Sequence, residues 1–247
     1  MRKIIITNGC DPRETAWQRV LELTTPRFKQ YAERHGYDFR MIWYQDIDHS
    51  LFPEFKNPGP FIGDAASRGS RLDFILWKYD RSILAPNWLR YAAVLQLLDE
   101  YDLVVYLDGD VVIMDRDVDV ADEIPPQCWI AAPINGPSPD NAGPGGPMWA
   151  VRRCPESLEF LRKNWEGQLW KAHPNWTDGV DFMHMLGYTI TEPVRKERVT
   201  EYDSAFWALP RRWMAWHPDA GSFVHIGGGS GGPERKAEII RRMGVGP

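Results

Sequence analysis

Asp102-Leu-Val-Val-Tyr-Leu-Asp108-Gly-Asp110 is the stretch whose reading decides the fold. An unbroken apolar run this short, bounded by acidic residues, is the pattern of a strand buried on both faces of a central sheet. Just upstream, Pro86 suits the first turn of a helix, and Tyr91, Val94, Leu95 and Leu98 fall at i, i+3, i+4 and i+7. The spacing predicts a helix over 86–100 feeding directly into the strand. At the strand's end stand two carboxylates, Asp108 and Asp110, separated by Gly109. Within a strand, residues i and i+2 share one face and their neighbour points to the other; a chain leaving the strand through glycine is free to turn so that both acids converge. Converging carboxylates repel, and a divalent cation relieves that repulsion. A hard ion of the Mg2+ or Mn2+ kind takes oxygen ligands and keeps positions open for substrate phosphates. The plain alternative is a solvated acidic turn; placement at the carboxyl end of a buried strand, where open α/β sheets bind ligands, favours the cation.

Outward from this strand the chain alternates elements. Residues 3–7 are an apolar β-branched run entering a turn at Thr7-Asn8-Gly9, and about 11–34 is helical, with Trp17, Val20, Leu21, Phe28 and Tyr31 as its apolar positions. Pro26 is expected to divide that helix in two. Gly36 ends it, and Tyr37 to Trp43 reads as a second strand, completing a β-α-β start. Residues 44–70, acidic, aromatic and rich in Pro and Gly, read as a long loop or lid near a site. Strands are expected at 111–114, 129–132, 148–151 and 222–226, and helices from Pro155, over 178–186 and over 233–243, with 133–147 a loop. With no internal repeat and no domain boundary, the chain reads as one α/β domain over 1–247 with a mixed central sheet flanked by helices.

Bulk properties narrow the function. The 247 residues are 43% hydrophobic and 26% charged, ordinary for a soluble globular domain. A net charge of −5 argues against nucleic acid as partner, because phosphate-backbone binding needs a basic face. No apolar run approaches the roughly 20 residues of a membrane span, and Ile4-Ile5-Ile6 is too short for a secretory leader. Cys10, Cys128 and Cys154 are odd in number and far apart, so neither a disulfide framework nor a zinc site is indicated, and a cytoplasmic location is expected. The 12 tryptophans fit a core rich in large aromatics, with a few available as flat platforms for sugar rings.

The segment from Pro86-Asn-Trp-Leu-Arg90 through Leu97-Leu-Asp-Glu-Tyr-Asp102 to Asp108-Gly-Asp110 resembles the core of GT-A-type glycosyltransferases, and most of all the retaining galactosyl- and mannosyltransferase and glycogenin-like families. The resemblance implies a GT-A, Rossmann-like fold with a nucleotide-binding half, 1–114, and a half for sugar and acceptor, 115–247. It implies a UDP- or GDP-sugar as donor, Mn2+ or Mg2+ as cofactor, a glycan or other hydroxyl as acceptor, and retention at the transferred carbon. Residue by residue, it implies that Asp108 and Asp110 chelate the metal and that Arg90 and Gly109 lie against the bound donor. Thr7, Asn8 and Gly9 would form the base and ribose edge. Asn141-Ala142-Gly143 followed by Met148-Trp-Ala-Val-Arg-Arg-Cys154 is similar to the family's donor-sugar block, with Pro144-Gly145-Gly146-Pro147 inserted before the strand. Asp181, with Asp178 as a substitute, resembles the acid facing the reacting sugar; Asp178 is equally a good N-cap. Phe223-Val-His225-Ile-Gly-Gly228 is similar to the late His-x-x-Gly that completes the metal site and lines the donor. The Lys that the family places six residues after this His is Gly231 here, leaving Arg235 and Lys236 as stand-ins.

Two other motifs compete. Gly227-Gly-Gly229-Ser-Gly-Gly232 spells G-x-G-x-x-G, but only 15 residues follow it, too few for a dinucleotide-binding unit. Asp108-Gly-Asp110-Val-Val also fits the start of haloacid-dehalogenase-type phosphatases, without their later acidic block. A sugar-phosphate nucleotidyltransferase or phosphatase using the same carboxylates, and a catalytically inactive glycan- or nucleotide-binding protein, are the alternatives to a metal-dependent hexosyltransferase.

Overall fold

A computed structural model describes residues 1–9, 15–52, 89–138, 141–144, 146–167, 179–189, 193–215, 223–226 and 232–244. The expected lid over 44–70 therefore lies mostly outside the described residues; its first part contains a 3-10 turn at Tyr44–Asp46.

The chain opens β1 (Lys3–Asn8), α1 (Thr15–His35), β2 (Asp38–Ile42), with β1 and β2 parallel. After α2 (Leu89–Leu97), β3 (Leu103–Leu107) pairs parallel with β1 on its other side. There follow β4 (Val111–Ile113), a short helix α3 (Val120–Glu123), β5 (Ile130–Ser138), β6 (Asn141–Pro144), β7 (Met148–Arg152), α4 (Pro155–Gly167), α5 (Gly179–Met185), β8 (Phe206–Leu209), β9 (Phe223–His225) and α6 (Pro233–Arg242). The main sheet runs β2-β1-β3-β7-β5-β6, with β8 parallel to β5 and β7 antiparallel to both β3 and β5. It is the expected mixed central sheet flanked by helices.

Every residue of β3 is buried, as its unbroken apolar run requires. Strand alternation then sorts the side chains. Ile4, Ile6, Val104, Tyr106, Trp149 and Val151 face one way and pack with α2, Phe160 and Leu161 of α4, and Phe182 of α5. Ile5, Leu103, Val105, Leu107 and Ala150 face the other way, against Phe28, Tyr31 and Ala32 of α1. A third cluster joins Val20 and Leu23 of α1 to β4, β9 and Ala237 and Ile240 of α6. Helices thus cover both faces of β1 and β3, and the strand order switches direction between these two strands. That is where an open α/β sheet binds its ligand.

Two expectations are corrected. Pro26 does not divide α1, which runs unbroken over 21 residues. Pro26 and Glu22 are both exposed, so the carbonyl deprived of its amide faces water, while buried Leu21, Thr24, Phe28 and Tyr31 hold the turns on either side. Nor is 133–147 only a loop, since β5 extends to Ser138 and pairs with β6 in a hairpin whose register shifts between Asn135 and Ser138. Pro144 is tolerated because β6 ends that path of the sheet and the proline nitrogen, like the Ala142 N–H two residues earlier, faces away from β5. No helix among the described residues is long and apolar enough to cross a membrane.

Candidate active site

Asp108, Gly109 and Asp110 form the link between β3 and β4. The Asp108 N–H donates to the Pro147 carbonyl at 2.8 Å, and the Val111 N–H donates back to the Asp108 carbonyl at 3.0 Å, so the chain reverses tightly. Helix α1 is seated against this turn. The Thr24 hydroxyl donates to the Gly109 carbonyl at 2.7 Å. A Cβ at position 109 would lie 2.6 Å from Leu21 Cδ2, so glycine leaves room for the Leu21 side chain to pack against the turn.

The two carboxylates have different surroundings. Asp108 is partly open, its side chain 28% exposed; it accepts from the Tyr106 hydroxyl at 2.6 Å and lies 3.6 Å from Arg90 Nη1. Arg90, on the first turn of α2, is buried. Its guanidinium lies 5.0 Å from the Tyr106 ring centroid and 5.1 Å from that of Trp149, and Nη1 donates to the Gly146 carbonyl at 2.8 Å. Gly146 has φ of 74°, a left-handed turn that a side-chain-bearing residue adopts only with strain. Asp110 is buried, and its Oδ2 accepts from Lys236 Nζ at 2.5 Å. Lys236, on the first turns of α6, also lies 5.0 Å from the Trp17 ring centroid on α1. Of the two basic residues open as stand-ins after Gly231, Lys236 is turned inward and Arg235 is exposed.

Strand β9 reaches the same place by its backbone. It pairs antiparallel with β4, setting His225 opposite Val111, and the Ile226 N–H donates to the Asp110 carbonyl at 3.2 Å. Position 225 thus lies one residue's register from Asp110. Asp181, near the start of α5, is 1% exposed. Its neighbour Phe182 stacks on Trp149, with centroids 5.0 Å apart and planes 21° from parallel. The ring beneath Arg90 therefore also anchors the helix that carries Asp181.

The remaining expected residues fall around this centre. Thr7, the penultimate residue of β1, is fully buried; its hydroxyl has no hydrogen-bond partner among the described residues and lies 3.9 Å from where a Gly109 Cβ would stand. Asn8 and Gly9 are half-buried, and the Trp43 ring lies flat across Gly9. Asn141, Ala142 and Gly143 make up β6. The Ala142 N–H donates to the Val194 carbonyl at 2.7 Å, and Gly143 packs against Met183 of α5 and Val194. Asp178 and Gly228 lie outside the described residues. Sequence reading missed the seat of the turn, Leu21 and Thr24, and the Tyr106 hydroxyl. The i, i+2 spacing of Tyr106 and Asp108 was the one available signal for the latter.

For a divalent ion, two carboxylates on one turn with a histidine position in register beside them make a donor set of the right chemistry. Among the described residues no three His, Cys, Asp or Glu side chains come together as a ligand group. Asp108 and Asp110 carry the oxygen donors such an ion takes, and the backbone of residue 225 lies in register beside Val111, next to Asp110.

No protein-family model and no curated protein matches the sequence. Solved structures do. A glycosyltransferase involved in the glycosylation of the major capsid of PBCV-1 aligns with 98% of this chain and 100% of its own, at a TM-score of 0.56 and 13% identity. The glycosyltransferase GlyE of Streptococcus pneumoniae TIGR4 aligns with the whole of this chain at a TM-score of 0.51 and 13% identity, and the chain spans 62% of GlyE's length. At such identities the likeness is one of architecture, and it agrees with the strand order and the switch point: the chain has the GT-A fold of glycosyltransferases.

Proposed function

We propose that the chain is a metal-dependent glycosyltransferase that moves a sugar from a nucleoside-diphosphate sugar to an acceptor hydroxyl, with retention at the transferred carbon. One observation carries the reading: Asp108 and Asp110 share a turn at the carboxyl ends of β1 and β3, with a buried cation, Arg90 or Lys236, beside each. The difficult step of the reaction is departure of the diphosphate, on which negative charge grows as the glycosidic bond breaks. A divalent ion held by Asp108, Asp110 and His225, Mn2+ or Mg2+, would neutralise that charge as a Lewis acid. The chain's own groups divide the remaining tasks. Tyr106 and Arg90 fix the Asp108 carboxylate, and the guanidinium, held beside the Tyr106 and Trp149 rings, is available to a phosphate or a pair of sugar hydroxyls. Asn8, Gly9 and Thr7 form the base and ribose edge, and Asn141, Ala142 and Gly143 with Gly228 line the donor. Asp181, with Asp178 before it, faces the electron-poor sugar ring, where a carboxylate stabilises positive charge. Residues 1–114 then bind the nucleotide and 115–247 the sugar and acceptor. The retained configuration and the hydroxyl acceptor follow from the family resemblance.

The test is incubation with Mn2+ and a panel of UDP- and GDP-sugars, with and without glycan acceptors. Release of nucleoside diphosphate from one donor, abolished by chelation, is the expected result. Release of pyrophosphate from a nucleoside triphosphate supplied with a sugar 1-phosphate, or of inorganic phosphate from a sugar phosphate, in parallel incubations would instead make the protein a nucleotidyltransferase or a phosphatase. Binding without turnover across the acceptor panel would make it an inactive binding protein.

A further inference from the structure

The Asp110 carboxylate, at the centre of the proposed cation site, already has a cation on it. Lys236 Nζ stands 2.5 Å from Oδ2, and the two side chains are only 9% and 6% exposed. The contact is built rather than incidental. Lys236 comes from α6, whose Ala237 and Ile240 are packed into the cluster with Val20 and Leu23 of α1, and its ammonium also lies over Trp17 of the same helix. Helix α1 in turn holds Gly109 through Leu21 and Thr24, so the lysine and the turn it neutralises share one rigid support. Arg90 stands 3.6 Å from Asp108. The two cations offset the charges of the two carboxylates, and a bare divalent ion added to this centre would leave excess positive charge in a largely buried place, which is unfavourable. A divalent ion and the ammonium also compete for the same Asp110 oxygen.

We propose, resting on the reading that this site takes a divalent cation, that Lys236 is an exchangeable internal counter-ion: it holds Asp110 in the resting chain and yields it to the metal only when a nucleoside diphosphate supplies compensating negative charge. Metal and nucleotide then bind with strong mutual dependence, and by linkage each tightens the other by the same factor. The device keeps a site with two carboxylates from being filled by metal alone, and makes the arriving nucleotide the event that assembles it.

The test is titration of the full-length protein with Mn2+, followed by the electron paramagnetic resonance signal of the free hydrated ion, with and without UDP or GDP. Lys236→Gln retains an amide donor toward Asp110 while removing the charge, and its folding is checked by urea unfolding before titration; Lys236→Arg keeps the charge. Without nucleotide, Lys236→Gln is expected to bind Mn2+ at least about tenfold more tightly than the wild type, within the usual range of such couplings. Lys236→Arg is expected to stay near the wild type, and nucleotide to tighten Mn2+ more in the wild type than in Lys236→Gln. Lys236→Met is read in parallel, so that poor folding of one variant leaves a second neutral one. Wild type that binds Mn2+ with nucleotide, while neither neutral variant gains affinity without it, overturns the exchange and leaves the metal reading standing. Failure of every form to bind Mn2+ even with UDP and GDP overturns both.

Discussion

Asp110 is the residue on which the proposed chemistry and the stability of the site meet. It is a buried carboxylate whose ion pair with Lys236 spans 126 residues of sequence, so neither partner is easily changed alone. Asp110→Asn would leave the ammonium buried against a neutral amide. Removing one member of a buried pair costs about 3–5 kcal/mol, and an amide oxygen that still accepts the hydrogen bond brings the expected loss to about 2–4 kcal/mol. The same variant should lose Mn2+-dependent binding of UDP or GDP. Urea unfolding and nucleotide titration measure the two effects separately; a variant as stable as the wild type that still binds nucleotide through Mn2+ would remove Asp110 from the site. The two acids were legible because they end an apolar run, and Arg90 because it precedes that run on a patterned helix. Lys236 was legible only as one of a pair with Arg235. The choice depends on the rotational phase of α6 against α1, a tertiary fact that local sequence does not contain.

Helix α1 is the element that joins the site to the core, and it does so across an internal proline. Pro26 removes one amide donor and crowds the carbonyl four residues back, yet the helix continues because its buried side chains are fixed by the sheet. The penalty is therefore still present in the folded chain. Proline is about 3 kcal/mol worse than alanine in a helix interior, and proline's restriction of the unfolded chain returns part of that. Pro26→Ala at this exposed position is expected to stabilise the protein by about 1–2 kcal/mol, read as a rise in the urea midpoint with unchanged slope. A midpoint that stays put or falls would mean that the proline ring contributes packing the helix needs. Local rules misjudged this element, and the 133–147 hairpin too, for one reason. Both Pro26 of α1 and Pro144 of β6 sit where the missing donor faces outward, and which face is outward is settled only once the sheet is assembled. Strand β8 escaped notice differently: Phe206-Trp-Ala-Leu209 is short and half-exposed, and its partner β5 lies more than 70 residues earlier.

For the molecule as a whole, the β-α-β start and the central β3 were legible, because hydrophobic period and turn residues set them, whereas the strand order and its switch between β1 and β3 appear only in the assembled sheet. What the sequence could not indicate is how the segment following β4 is fastened to the first strands. Asp119 does much of this. It caps α3 through the Ala121 N–H at 2.9 Å, accepts from Lys3 of β1 at 2.7 Å, and accepts from the Tyr37 hydroxyl, just before β2, at 2.5 Å. Burial pushes its carboxyl upward, but the bonds from Lys3, Tyr37 and Ala121 outweigh burial and hold it below the ordinary carboxylate value. A depressed folded-state value means that ionised Asp119 contributes its stability above the unfolded value, about pH 3.9, and loses it as pH falls through the lower folded one. Burial, then the bond to Asp119, pushes the Tyr37 phenol upward, so the same cluster weakens as pH rises above the phenol's ordinary range, near pH 10. Asp119→Asn keeps a capping side chain but removes the charge, and is expected to cost about 1–2 kcal/mol at pH 7. The gap between variant and wild type should narrow as pH drops below about 3.9, where the unfolded wild type takes up a proton first, and close once pH passes the lower folded value. Urea unfolding of both proteins from pH 7 to pH 2.5 measures this. A gap that stays constant through the acid range would place the effect of the substitution in packing rather than in the ion pair that ties α3 to β1.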